Sequence, residues 1–168
     1  MGIPVLILGE SGSGKSTSLR NFEPEEISIF NVASKPLPFR KKLPIKAAPD
    51  YDTIKAALAK GSKKSYAIDD SQYLMCFESF AKAKEAGFGK FTDFALHFYD
   101  LIQFIIYQTA PDTLVYFLHH TEMTDTGRVK AKTIGKMLDN QLTLEGMFAI
   151  VLLCTTDGKN HSFVTQSN

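Results

Sequence analysis

Lys15 and Ser16, set behind glycines at 9, 12 and 14, are the side chains whose types and spacing point most directly to chemistry. The segment Gly9-Glu10-Ser11-Gly12-Ser13-Gly14-Lys15-Ser16 fits G-x-x-x-x-G-K-[ST] at every fixed position. Glycine permits backbone conformations that a side chain forbids, so the N–H groups from Gly12 to Ser16 can converge on phosphate oxygens at a helix N-terminus. Lys15 then reaches the β- and γ-phosphates. The Ser16 hydroxyl is a hard oxygen ligand suited to Mg²⁺, and Thr17 falls near the α-phosphate. Gly9, Ser11, Gly12, Ser13, Gly14, Lys15, Ser16 and Thr17 are therefore the expected nucleotide-binding set, with ATP and Mg²⁺ as the expected ligands. A Gly/Ser-rich turn could match by accident, but the flanks argue otherwise: Pro4 to Leu8 is a short apolar run, and Ser16 to Arg20 can open a helix.

Two further groups carry chemistry. Ser65-Tyr66-Ala67-Ile68 reads as a strand that delivers Asp69 and Asp70 at its C-terminal tip, the pattern of a Walker B motif. Asp69 is the expected partner of Mg²⁺ with Ser16, and Asp70 the candidate catalytic acid; the competing role for either is capping the helix that follows. Thr113 to Leu118 is a nearly continuous apolar run, as in a parallel strand covered on both faces, with His119 and His120 at its end. Side chains alternate along a strand, so at most one of these histidines reaches a nucleotide; His120 is the preferred sensor, and a structural role competes for both.

These residues need a scaffold, and the rest of the chain supplies its outline. Ile27 to Val32 reads as the second strand. Ser34 to Pro44 holds three prolines and, with Lys46, five basic residues, which predicts a basic surface excursion rather than a helix or central strand. Tyr51 to Lys60 has helical apolar spacing and stops at Gly61. Ser71 to Ala83 and Phe91 to Gln108 read as helices, Glu122 to Glu145 as polar and mostly irregular, and Phe148 to Cys154 as a strand. Asp157-Gly158 turns the chain into a last strand near Ser162 to Thr165. The alternation predicts an α/β fold with a mainly parallel, doubly wound sheet and a C-terminal antiparallel hairpin. Ligands sit at the C-terminal strand edges of such sheets, where the loop at residues 9–16, Asp69/Asp70 and His119/His120 all fall.

With 168 residues the chain is read as one domain, and its stop directly after a strand predicts a C-terminal truncation. Nineteen basic against 18 acidic residues leave a net charge of +1, which excludes a bulk polycation that holds nucleic acid by charge alone. Any such surface must be local. Lys84 and Lys90 lie in a stretch that interleaves lysines, glycines and aromatics, and Arg128, Lys130, Lys132 and Lys136 form a second basic segment; a solvated loop is the competing reading for each. Cys76 and Cys154 stand apart among apolar residues, which predicts free buried thiols and a cytoplasmic setting. No apolar stretch approaches the ~20 residues of a membrane span, so no membrane partner is expected.

The loop sequence GESGSGKST is also similar to that of ABC transporter ATPases, but no LSGGQ-type signature follows and no Asp-Glu pair ends the Walker B strand. The chain more closely resembles phage-encoded ATP-binding proteins of the AAA/RecA-like class, similar to single-strand annealing or recombination ATPases. The resemblance rests on the near-N-terminal P-loop, KPLPF at Lys35 to Phe39, IDDSQYL at Ile68 to Leu74, HHTE at His119 to Glu122 with its basic loop, and the closing hairpin. It implies a RecA-like fold, a soluble ATPase in the cytoplasm of a bacterial host, single-stranded DNA as partner through Arg128 to Lys136, and a homo-oligomer with shared active sites. In one respect the chain departs from the class: where RecA-like ATPases carry a glutamate after the second strand, Ala33-Ser34-Lys35 offers no acid. The expected function is ATP hydrolysis in phage DNA recombination or replication. The alternatives are a small-molecule or nucleotide kinase and a non-hydrolysing nucleotide-dependent binding module.

Overall fold

The computed structural model describes residues 1–87, 89–135, 138 and 142–165. Its centre is a sheet whose inner strands are apolar on both faces. The strands are β1 (Ile3–Gly9), β2 (Ile27–Asn31), β3 (Ile45–Ala47), β4 (Ser65–Asp69), β5 (Leu114–Met123), β6 (Val129–Ala131), β7 (Ile150–Thr156) and β8 (His161–Val164). They lie in the order β3-β2-β4-β5-β1-β7-β8, with β6 paired to the outer part of β5. Neighbours from β3 to β7 are parallel; β5–β6 and β7–β8 are antiparallel.

Alternation along the central strands divides the core in two. Leu6 and Leu8 of β1 join Ile68, Val115 and Phe117 on one face, under α2 (Tyr51–Lys60), α3 (Tyr73–Ala81) and α4 (Gly89–Gln108). Helix α4 drives this packing: Phe94, Phe98, Leu101, Ile102 and Ile105 recur at helical spacing and are buried. Val5 and Ile7 point to the other face, with Ile27, Ile29, Ala67 and Leu118. That face is covered by the short helix α1 (Lys15–Ser18), the 3₁₀ turn Leu19–Asn21, and Leu37, Phe39 and Leu43 of the proline-rich excursion. The sheet is thus wrapped on both sides, though unequally.

Several expectations shift. The excursion after β2 ends in a three-residue edge strand, β3, whose residues are all exposed, leaving no periodicity to read. β5 runs past His119 and His120 to Met123 and pairs back with β6, so the supposedly irregular segment begins with a hairpin and later holds a 3₁₀ turn at Leu144–Met147. Helix α2 keeps the expected bounds: the Asp50 carboxylate accepts from the Thr53 N–H at its start, and Gly61 ends it with φ 60°.

Candidate functional site

Strand order brings the candidate residues together. β1 and β5 are neighbours in a register that sets Gly9 beside His120, and β4 lies next to β5, so Asp69 and Asp70 emerge from the same edge. The loop after β1 is shaped by steric necessity. A Cβ on Gly9 would sit 2.6 Å from Ser13 Oγ and 2.8 Å from the Cys154 carbonyl oxygen, and Gly14 has φ 104° with the His161 ring against it. The Ser13 carbonyl accepts bonds from the Cys154 thiol at 3.0 Å and from His161 Nδ1 at 2.7 Å, which tie the loop to the C-terminal hairpin.

Lys15 is buried and its Nζ donates to the carbonyls of Gly9 (2.7 Å) and Glu10 (2.8 Å). Burial lowers its pKa, opposed chiefly by the nearby Asp70 charge. The Ser16 hydroxyl donates to Asp69 Oδ1 at 2.6 Å. Burial raises the Asp69 pKa, against the pull of that hydrogen bond. Ser16 and Asp69 together form a pair of hard oxygen donors, the chemistry that suits Mg²⁺. The buried Ser13 Oγ has no hydrogen-bond partner among the described residues, leaving a further oxygen beside the loop backbone.

Asp70 stands in a left-handed conformation, φ 59°, that turns its carboxylate toward the loop. Burial alone would raise its pKa, but hydrogen bonds from His120 Nε2 (3.1 Å) and Lys35 Nζ (2.8 Å) prevail and bring it down to about 2. Neither aspartate caps α3: its N-cap is Gln72, with no side-chain cap. Ser11, Gly12, Gly14, Lys15, Ser16, Thr17, Asp69, Asp70 and His120 line one cavity of about 260 Å³, closed on its far side by Lys35, Pro36 and Pro38.

His119, one residue earlier on β5, turns the opposite way into the core beside Phe98. Its Nε2–H donates to the Lys132 carbonyl at 2.7 Å, which fixes the tautomer and leaves Nδ1 to accept from Ser71 Oγ at 2.8 Å. Burial lowers its pKa to about 4.

The structure adds residues that the sequence did not single out. Lys35 is held over the Tyr73 ring and against Asp70, and Asn31 Nδ2 bonds its carbonyl. Only the adjacency of β2 and β4, with Asn31 opposite Asp69, puts it there. On the other flank of the loop, a cavity of about 160 Å³ shares Gly14 and Thr17 with the cavity of about 260 Å³ and continues along Arg20, Asn21, His161 and Phe163.

The candidate nucleic-acid residues do not converge as the others do. Arg128, Lys130 and Lys132 lie on or beside the β5–β6 hairpin, where Lys130 pairs with Glu122 at 2.9 Å and Lys132 lines a small cavity with His120. Lys84 is exposed, while Lys90 Nζ folds back onto the carbonyls of Lys82, Ala83 and Glu85. Lys136 lies outside the described residues. Cys154 is buried and Cys76 half-buried, both free. Among the described residues no helix is long and apolar enough to cross a membrane.

A loop cradle after β1, its serine bonded to the acid that ends β4, and one strand interposed between them decide the architecture. The fold is an α/β sheet, mainly parallel, with a glycine-rich loop at its C-terminal edge and an antiparallel hairpin at β7–β8. No family model and no curated protein matches this chain. Among solved structures it is similar to the P4 protein from bacteriophage phi6 in complex with ADP, at 14% identity and a TM-score of 0.49. The similarity covers 99% of this chain and 58% of that one, so the chain spans less than two thirds of that protein's length.

Proposed function

We propose that this chain binds ATP with Mg²⁺ and hydrolyses it, and that turnover is directed by single-stranded DNA in phage recombination or replication. The observation that carries the nucleotide reading is the convergence, in one cavity, of Lys15, the Ser16–Asp69 pair and the Lys35–Asp70–His120 set. Backbone N–H groups of residues 12–16 and Lys15 hold the β- and γ-phosphates, and the ribose and base extend past Thr17 toward Arg20, Asn21 and Phe163. Ser16 and Asp69 would hold Mg²⁺, which when bound neutralises phosphate charge.

Asp70 and His120 orient the attacking water. Its oxygen bonds to the γ-phosphorus as the bond to the β-phosphate bridging oxygen breaks, and its proton leaves to Asp70 or directly to phosphate oxygen. With a carboxyl pKa of about 2, Asp70 is a weak base while Lys35 pairs with it, but the loose transition state of phosphoryl transfer asks more for positioning than for proton abstraction. Lys35, more than half exposed, can swing to the terminal phosphate and supply positive charge from within the same chain.

The DNA reading draws on the continuity of β5: the strand that presents His120 at the site becomes the hairpin that carries Arg128, Lys130 and Lys132. The low Asp70 pKa and the lysine in place of a strand-two acid favour a second reading, a nucleotide-dependent switch with little turnover.

The test is phosphate release by purified protein with ATP and Mg²⁺, alone and with single-stranded DNA, beside Asp70→Asn and a Lys130→Glu/Lys132→Glu double variant. DNA-stimulated turnover, abolished by the first and unstimulated in the second, is the expected result. ATP binding without turnover in every condition would replace hydrolysis with the switch, and absence of ATP binding would overturn the assignment altogether.

A further inference from the structure

Five of the 19 basic residues lie between positions 35 and 49, where the sequence has no acid. Lys35, Arg40, Lys41, Lys42 and Lys46 give this segment a charge of +5 and leave 14 basic against 18 acidic residues elsewhere, a net −4. A near-neutral chain thus carries one strongly positive strip, whose local field attracts polyanions that the molecule as a whole would not. The cavity over the glycine-rich loop uses only Lys35 of the five.

The fold holds this strip open. Because β3 is parallel to β2 and starts opposite Ile29, the chain must run back down one face before it re-enters the sheet, and it does so on the face that carries α1. Burial alternates along this return: Leu37, Phe39, Lys41 and Leu43 turn inward, the three apolar ones packing with the cluster of Ile27 and Ile29, while Pro38, Arg40, Lys42 and Pro44 stay exposed. Asn31 Nδ2 bonds the Lys35 carbonyl at one end, and the Ile29 N–H bonds the Pro44 carbonyl at 2.8 Å at the other. Prolines at 36, 38 and 44 fix φ between these anchors. The cations are held outward on a pinned backbone, so a ligand need order little of the chain.

Two acids face the strip. Glu23 pairs with Lys41 at 2.8 Å, and Asp50, engaged by the Thr53 N–H, lies within electrostatic reach of Lys46. Arg40, Lys42 and Lys46 make no ion pair among the described residues. Elsewhere the lysines are answered: Lys82 by Glu78, Lys130 by Glu122, Lys90 by backbone carbonyls.

Which polyanion fits follows from what faces out. A protein partner is gripped through apolar anchors, and a membrane through apolar side chains that enter it. Here Leu37, Phe39 and Leu43 are committed to the core, and Ile45 alone among the strip's large apolar residues is exposed. Charge without anchors suits a ligand that repeats anionic groups along its length, the phosphate backbone of a nucleic acid.

We propose that the segment from Arg40 to Lys46 is a nucleic-acid interface, contacting the phosphate backbone of a single strand through Arg40, Lys42 and Lys46. It rests on the single-stranded DNA reading above and adds to it a surface separate from the β5–β6 hairpin; it does not depend on ATP hydrolysis.

The experiment is fluorescence anisotropy of a labelled oligo-dT of about 30 nucleotides, titrated with the full chain at several salt concentrations between about 0.05 and 0.4 M. Wild type is compared with Arg40→Gln/Lys42→Gln/Lys46→Gln and with Lys130→Glu/Lys132→Glu. Lys35 is left in place because it lines the cavity over the loop. The three strip residues are exposed, and an unchanged Tm reports an intact fold. The strip variant should flatten the slope of log K against log salt by about 2, at ~0.7 for each lost phosphate contact. The same coefficient gives a loss of about a hundredfold at 0.1 M salt that fades toward 1 M. Wild-type affinity and slope in the strip variant would overturn the proposal; if the hairpin variant alone then loses binding, the DNA reading survives without this surface. No salt-dependent binding by wild type up to about 100 μM protein would remove both. Poly-glutamate of equal charge competing as well as unlabelled oligo-dT would also overturn it, since any acidic polymer would then serve.

Discussion

The cavity over the glycine-rich loop and a cavity of about 580 Å³ beyond β2 share one strand exit but are built in opposite ways. In the first, the charged groups answer one another: Lys15 on loop carbonyls, Ser16 on Asp69, Lys35 and His120 on Asp70. In the second, Val32, Ala33, Ala48, Pro49, Leu74 and Phe77 supply mostly apolar walls. The polar cavity is made mostly by two short runs, residues 9–17 and 69–70, so its chemistry is written locally. The apolar cavity draws on residues 32–34, 48–55, 74–81 and 97, and exists only once four segments have packed.

The sharpest way to break this contrast is to remove the acid on which the polar side converges. Asp70→Asn should lower ATP turnover by about 10²–10⁴-fold while ATP still binds. Steady-state phosphate release beside a binding isotherm separates the two, and a variant that keeps more than a tenth of wild-type turnover would remove Asp70 from the mechanism.

Next in size is the effect of His119, whose folded pKa of about 4 lies below the ordinary 6.5. Because the unfolded chain takes up the proton first as pH falls, the native state is fully favoured above about 6.5 and loses stability progressively down to about 4. The loss is on the order of 3 kcal/mol, the free-energy equivalent of that shift. Denaturant melts across this window should show the slope in wild type and a flatter profile in His119→Gln. A His120→Ala variant should keep the slope and lose turnover instead; the reverse pattern would exchange the roles of the two histidines.

Lys15→Ala tests the loop itself. At ATP a hundredfold above Kd, wild type should gain about 2.7 kcal/mol of stability and the variant close to none, read as the nucleotide-dependent shift in Tm. Undiminished stabilisation would refute the phosphate role of the loop. The smallest effect probes the shared rim: Ser34→Val, a β-branched residue at positive φ, should cost about 1–2 kcal/mol without altering ATP affinity. A loss of ATP affinity as large as that of Lys15→Ala would mean that the two cavities are one site.

What could be read in advance follows the same division. The loop, helix α2 with its cap and terminal glycine, β4 with its acidic tip, and the opposite facing of His119 and His120 all rest on spacing within a dozen residues. β3 and β6 escaped because three residues carry no period, and β5 was cut short because its outer half turns polar where it leaves the core for the hairpin. Lys35 was legible only as a missing acid. Its place beside Asp70 comes from the pairing of β2 with β4 and from Asn31, which no local pattern announces.

The Ser13 carbonyl, finally, accepts from Cys154 and His161, some 140 and 150 positions further along the chain. The loop is synthesised well before β7 and β8, whose side chains make these closing contacts. A nascent chain therefore carries the glycine-rich motif long before the groups that hold the motif's shape are in place.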